Sequence, residues 1–330
     1  MVRRTVALLI LVVSAAGAIS SCSADAGPSA PPGGDASPSV SVTALGSDGP
    51  ISSARPRASA SPRANARAMV TPPAGHAPTS SFAIEERHLS LSRGKERPLP
   101  TTVWAPVTGS TGPFPLILFS HGLTSEPSAY APLLTAWARA GFVVAAPAYP
   151  HTSYGVADLN PLDIANQPAD ASYVISQMIA LNSKAGDELR GRIDTTRIAA
   201  AGHSAGGITT IGLFTGSRDD RLDAGIVLAG ERVLNVPFSG PAAPLLFAHG
   251  KLDRTVSYAN GLAAFKAVPW SRAMLTVTKG GHATGAGDLG PVLPTTTDFL
   301  RWSLYGDAAA KSRLHADATK GGTATLTDQL

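Results

Sequence analysis

Ile198-Ala199-Ala200-Ala201-Gly202-His203-Ser204-Ala205-Gly206-Gly207 is the stretch whose reading decides the fold. Its first four residues are apolar and small or branched, as in a short strand buried on both faces. Glycines then bracket a serine, and residues 208–214 have a helical pattern. Between a strand and a helix, Gly-x-Ser-x-Gly lifts the serine hydroxyl onto a tight turn, exposed as a nucleophile. Flanking residues must be small there, and Gly202, Gly206 and Gly207 meet that need. The helix beginning beside Ser204 aims its N-terminal dipole at negative charge forming on a bound substrate.

The chain on either side repeats the same alternation. Residues 82–92 and 99–105 read as two strands joined by a polar turn around Gly94. Residues 116–120, 142–146, 226–229, 245–248 and 275–278 are apolar runs of strand length, the last being the final strand expected. Residues 133–140 and 169–181 carry helical periodicity, the second with Val174, Met178 and Leu181 on one face. Strands alternating with helices predict an α/β domain with a mainly parallel central sheet covered by helices on both sides. Ligands on such sheets bind where loops leave the carboxyl ends of the strands.

The first 80 residues have a different character. Met1-Val2-Arg3-Arg4 is a short positive segment, followed by an uncharged, Leu/Ile/Val/Ala-rich run to Ser21. That is the layout of an export signal. Ile19-Ser20-Ser21-Cys22 resembles the lipobox of bacterial lipoproteins, in which the cysteine is acylated and becomes the new N-terminus. The resemblance implies residues 1–22 as a removed signal and Cys22 as a lipid anchor in the bilayer, on the outer face of the bacterial cell membrane. Ala16-Gly17-Ala18 also fits an ordinary cleavage site, which would give a secreted protein, and an uncleaved run would be a short anchor. Residues 23–80 are about two-thirds Ala, Ser, Pro and Gly, a composition that cannot bury a core, and are expected to be a disordered linker. The folded domain is therefore expected over residues 81–330, beginning near Phe82.

Composition narrows the chemistry. Across 330 residues the formal net charge is +4, and no Lys/Arg run is interleaved with aromatics, so nucleic acid is not an expected partner. Cys22 is the single cysteine, which excludes an intrachain disulfide or a cysteine-based metal site. His76, His88, His151 and His315 have no ligand-like spacing, and no metal or cofactor is expected. A monomer is expected.

The chain resembles the α/β-hydrolase superfamily, in particular the branch of dienelactone-hydrolase-like proteins, platelet-activating-factor acetylhydrolases and cutinase-like polyesterases. Besides the serine turn, the likeness rests on Arg97-Pro98-Leu99-Pro100, Pro115-Leu116-Ile117-Leu118-Phe119-Ser120-His121-Gly122, Pro168-Ala169-Asp170 and Ile193-Asp194-Thr195-Thr196-Arg197-Ile198. It covers residue 82 to about residue 305. It implies an α/β-hydrolase fold and hydrolysis of a carboxylic ester through an acyl-enzyme, with the catalytic residues in the order serine, acid, histidine. Asp253, in His249-Gly250-Lys251-Leu252-Asp253-Arg254-Thr255-Val256, matches the acid. His282, in Lys279-Gly280-Gly281-His282, matches the base. Asp288 is a second candidate acid without a motif; Asp223 and Glu231 fit surface roles better.

The same resemblance assigns the oxyanion hole to the backbone N–H groups of Leu123 and Ala205. His121 and His203 are expected to hydrogen-bond loops around the site, and His249 to be structural. Only residues 230–244 link two strands between which such proteins commonly carry a cap, so little or no cap is expected. Residues 151–168 make a longer excursion and are expected to form one wall of the cleft, with Tyr149, Tyr154 and Leu159 as lining or as packing for that loop. Cutinase-like polyesterases tend to have an aromatic residue and a methionine where this chain has Leu123 and Ala205, which leans toward a general carboxylesterase. A polyester hydrolase, an acyltransferase and a non-catalytic surface lipoprotein are the competing readings.

Overall fold

Strands covered on both faces must be apolar throughout, and β3 (Phe114–Ser120) and β4 (Val143–Pro147) are buried along their whole length. In β3 the side chains alternate between two cores: Phe114, Leu116 and Leu118 belong to one, Ile117 and Phe119 to the other. Burying each such side chain fully is worth roughly 1.5–3 kcal/mol. The computed structural model describes residues 69–107, 109–282 and 289–330. The expected signal, Cys22, most of the linker and Asp288 lie outside them.

The described elements are β1 (Ile84–Ser92), β2 (Pro98–Pro106), β3, α1 (Ala131–Arg139), β4, α2 (Gln167–Ser183), β5 (Ile193–His203), α3 (Ala205–Gly212), β6 (Leu222–Leu228), β7 (Leu245–Gly250), α4 (Tyr258–Ala267), β8 (Arg272–Val277), α5 (Leu289–Tyr305), α6 (Ala308–Thr319) and β9 (Ala324–Gln329). They form one sheet in the order β1-β2-β4-β3-β5-β6-β7-β8-β9. Strands from β4 through β8 are mutually parallel. The pairs β1–β2, β2–β4 and β8–β9 are antiparallel. Helices α1, α5 and α6 bury Trp137, Phe299 and Leu314 against one face. Helices α2 and α4 bury Ile175, Met178 and Phe265 against the other.

Two expectations are corrected. Residues 275–278 do not contain the final strand, because β9 adds to β8 beyond it, from Arg272 opposite Gln329 to Val277 opposite Ala324. Packed chain also begins earlier than residue 81. The Val70 N–H donates to Ser271 Oγ at 2.9 Å, Gly75 bridges to Asp307, and Ala77 is buried. The link between β6 and β7 contains no helix or strand. No helix among the described residues is long and apolar enough to cross a membrane.

Candidate active site

Ser204 sits between the end of β5 and the start of α3 with φ 56° and ψ −117°, a conformation that L-residues rarely adopt. Such backbone costs on the order of 1–3 kcal/mol and persists only where its surroundings enforce it. Here the Ser204 N–H donates to the Leu228 carbonyl at 2.9 Å and its own carbonyl accepts from Ile208 N–H at 3.0 Å. The flanking glycines allow the turn to close. A Cβ on Gly202 would stand 2.2 Å from the Gly206 carbonyl oxygen, and one on Gly206 would stand 1.9 Å from that of Ser120.

Loops after three different strands bring the other groups to this serine. His282, after β8, places Nε2 2.8 Å from Ser204 Oγ and Nδ1 2.8 Å from Asp253 Oδ2. Asp253 follows β7, and its side chain is fully buried. Burial alone would push its carboxyl up. Donors from His249 and His282, with the Thr255 N–H, outweigh that and hold it well below the usual carboxylate range. Its Oδ1 accepts the N–H groups of Thr255 and Val256 at 2.8 and 2.9 Å, which fixes the carboxylate plane. An ionised carboxylate only accepts, so the His282 Nδ1 carries the proton and Nε2 is left as the acceptor facing the Ser204 hydroxyl.

The turn after β3 closes the opposite side. A Cβ on Gly122 would lie 3.4 Å from Ser204 Cβ, which sets how near this turn comes to the hydroxyl. The Gly122 N–H donates to Tyr130 Oη at 3.0 Å and the Thr124 N–H to the Thr152 carbonyl at 2.7 Å. Leu123 lies between these two anchored residues. Ala205 is the first residue of α3, so its N–H has no intrahelical acceptor.

His121 and His203 both hold loops, and burial pushes each down to about 4, so both are neutral near pH 7. His121 Nδ1–H donates to the Gly122 carbonyl at 2.8 Å, leaving Nε2 to accept the Tyr149 N–H at 3.1 Å. His249, read from sequence as structural, touches the acid: its Nε2 stands 3.2 Å from Asp253 Oδ2 and 2.9 Å from the Val256 carbonyl. Its place four residues before Asp253 was the available signal. Tyr130 gave none.

Asp223 accepts the Ile198 N–H at 2.9 Å and Glu231 accepts from Asn260 at 2.6 Å; neither reaches His282 in any described hydrogen bond. Residues 151–168 do form a long excursion, but Tyr149 packs it down instead of lining a cleft. It is fully buried, with its hydroxyl 2.7 Å from Ser120 Oγ. Tyr154 and Leu159 are exposed. Among the described residues, no group of three or more His, Cys, Asp or Glu side chains is placed to hold a metal ion.

The chlorophyllase family model matches residues 73–233, just under half of the chain. That family consists of serine ester hydrolases with the α/β-hydrolase fold, and the sheet and helices described above have that fold. The matched segment includes Leu123, Ser204 and Ala205 and stops before Asp253 and His282. Among curated proteins no match to the chain is found.

Proposed function

We propose that this protein hydrolyses carboxylic esters through an acyl-enzyme on Ser204. The observation that carries the reading is the line of two 2.8 Å hydrogen bonds from Ser204 Oγ through His282 to the buried Asp253 carboxylate. Ser204 Oγ attacks the ester carbonyl as His282 Nε2 takes its proton. The N–H groups of Leu123 and Ala205 receive the oxyanion. Losing one such donor typically costs on the order of 100- to 1000-fold in rate. His282 then passes the proton to the leaving alcohol oxygen, and water repeats the sequence to release the acid. Asp253 holds the His282 ring in the tautomer that both steps require.

Leu123 and Ala205 favour a general carboxylesterase over a polyester hydrolase, and the short 230–244 connection favours an open site. The lipobox-like Ile19-Ser20-Ser21-Cys22 supports placing the enzyme outside the cell, anchored by acylated Cys22. Labelling by a fluorescent serine-directed phosphonate and turnover of p-nitrophenyl esters test the chemistry together. Ser204→Ala is expected to abolish both. Undiminished turnover in that variant would sink the assignment. Loss of metabolic palmitate labelling in Cys22→Ala tests the anchor separately.

A further inference from the structure

Three separate loops deliver the serine, the histidine and the turn carrying Leu123, and one buried hydrogen-bond chain ties all three together without using a reacting atom. It runs from the Gly122 N–H to Tyr130 Oη at 3.0 Å, from Tyr130 Oη to His203 Nδ1 at 2.8 Å, and from His203 Nε2 to the main-chain carbonyl of His282 at 3.1 Å. Both ends are backbone groups with only one possible role. The Gly122 amide must donate and the His282 carbonyl must accept. With His203 neutral, as its burial favours, every proton between them is assigned. His203 carries its hydrogen on Nε2 and gives it to His282; Nδ1 is bare and accepts from the Tyr130 hydroxyl; the Tyr130 oxygen accepts from Gly122.

Tyr130 and His203 are both buried, so an unmade bond in this chain would strand a polar group away from water. Their rings also pack in sequence, each tilted against the next. Phe119, Tyr130, His203 and His282 follow one another with centroid separations of 4.7, 5.7 and 5.0 Å. His282 is thus gripped twice, at its ring by Asp253 and at its backbone by His203. The second grip continues to Gly122, the residue next to Leu123.

We propose that Tyr130 and His203 are positioning residues that fix the distance between the His282 loop and the Gly122–Leu123 turn on either side of Ser204. This rests on the ester-hydrolase reading above. Protonation of His203 would reverse one link, its Nδ1–H donating to Tyr130 Oη and the tyrosine hydroxyl losing its acceptor in the chain. Burial and the neighbouring His282 hold His203 down at about 4, so it stays neutral while His282 takes up and releases the serine proton. Misplacement of reacting groups by about 1 Å can cost on the order of 100-fold in rate, which is the scale of effect such a brace prevents.

The full chain and its Tyr130→Phe, His203→Phe and His203→Gln variants test this, with active sites counted by phosphonate titration and kcat and KM measured on p-nitrophenyl butyrate. Tyr130→Phe and His203→Phe are expected to lower kcat per titrated site by about 10- to 100-fold with KM changed less than about twofold. Glutamine carries both a donor and an acceptor, so His203→Gln should retain at least about tenfold more kcat than His203→Phe. Wild-type kcat per titrated site in Tyr130→Phe, or glutamine no better than phenylalanine at position 203, would overturn the proposal. Should the His203 variants fail to fold, nitrogen–proton NMR of histidine-labelled wild type decides. A hydrogen on His203 Nε2 is expected, and one on Nδ1 overturns the chain. Failure of the ester-hydrolase reading is distinguishable, since wild type itself would then neither label nor turn over.

Discussion

His249 Nε2 stands 3.2 Å from Asp253 Oδ2, the oxygen that also accepts from His282 Nδ1 at 2.8 Å. Asp253 is therefore held from two sides by imidazoles, and His249 leaves little room behind it. A Cβ on Gly261 of α4 would come within 2.3 Å of His249 Nδ1. Gly261→Ala is a test that leaves every reacting side chain in place. Alanine favours the helix by up to about 1 kcal/mol, yet it must push the buried imidazole toward or past Asp253. We expect kcat/KM to fall about tenfold on phosphonate-titrated sites, and His249→Phe to fall at least as far. Unchanged kcat/KM in both variants would reduce His249 to packing.

Asp253→Asn tests the tautomer argument directly. An amide that turns its NH2 toward His282 demands an acceptor at Nδ1, which moves the ring hydrogen to Nε2 and disables the base. Turnover should drop by roughly 10³- to 10⁴-fold with KM little changed, as the loss of the orienting acid does in other serine hydrolases. Stopped-flow phosphonate labelling should slow in parallel. A drop of only a few-fold would show that geometry, not charge, is what Asp253 supplies.

The parts of this site legible in the sequence are those where local chemistry is forced. Ser204 needed a strand, a helix and glycines whose Cβ atoms would collide, and all of these lie within ten residues. The buried parallel strands were legible because continuous apolar runs have few alternatives. Strand β9 was not, since Ala324-Thr325-Leu326-Thr327-Asp328-Gln329 is a half-exposed edge whose only apolar pattern is weak. Helix α5 was masked by Pro291 and Pro294, although Pro291 falls in its first turn, where proline is tolerated. Tyr130 and His203 act through contacts 73 residues apart, and no local pattern encodes such a pair.

Buried neutral histidines are also expected to weaken the fold in acid. His121 and His203 are both lowered from 6.5 to about 4, by burial first in each case. Between pH 6.5 and 4 the unfolded chain takes up these protons and the folded chain does not, so stability falls as pH falls through that window. Each histidine contributes on the order of 3 kcal/mol to that loss when the window is fully crossed. Asp253 acts in the same direction only at lower pH, because its carboxyl stays ionised in the fold until well below the usual range. Melting temperature should decline steeply from pH 6.5 to 4, and His203→Gln should flatten the decline. An equally steep decline in that variant would assign the acid sensitivity elsewhere.

Arg97 ties the long 151–168 excursion to helix α2. Its guanidinium spans two buried carboxylates, Asp163 at 2.7 and 2.8 Å and Asp170 at 2.5 to 3.0 Å, while Arg93 adds a second cation on Asp170 at 2.7 Å. Asp163 lies in the 3-10 turn Pro161–Ala165 and Asp170 in the first turn of α2, so one arginine clamps the end of the excursion to the start of the helix. The same excursion carries Thr152. Its side chain accepts from Gln167, which in turn accepts from Thr209 of α3, and its carbonyl takes the Thr124 N–H beside Leu123. Arg97→Met leaves both carboxylates buried with only Arg93 beside one of them, an imbalance typically costing about 3–5 kcal/mol. Lysine cannot span two carboxylates with paired donors, so Arg97→Lys should recover less than half of that loss. Limited proteolysis should open first within residues 151–166, and kcat should fall as the Thr124 anchor loosens. Arg93→Ala provides the control, because Arg97 still neutralises Asp170. If Arg93→Ala proved as damaging as Arg97→Met, the clamp would lie in total charge and not in the spanning guanidinium.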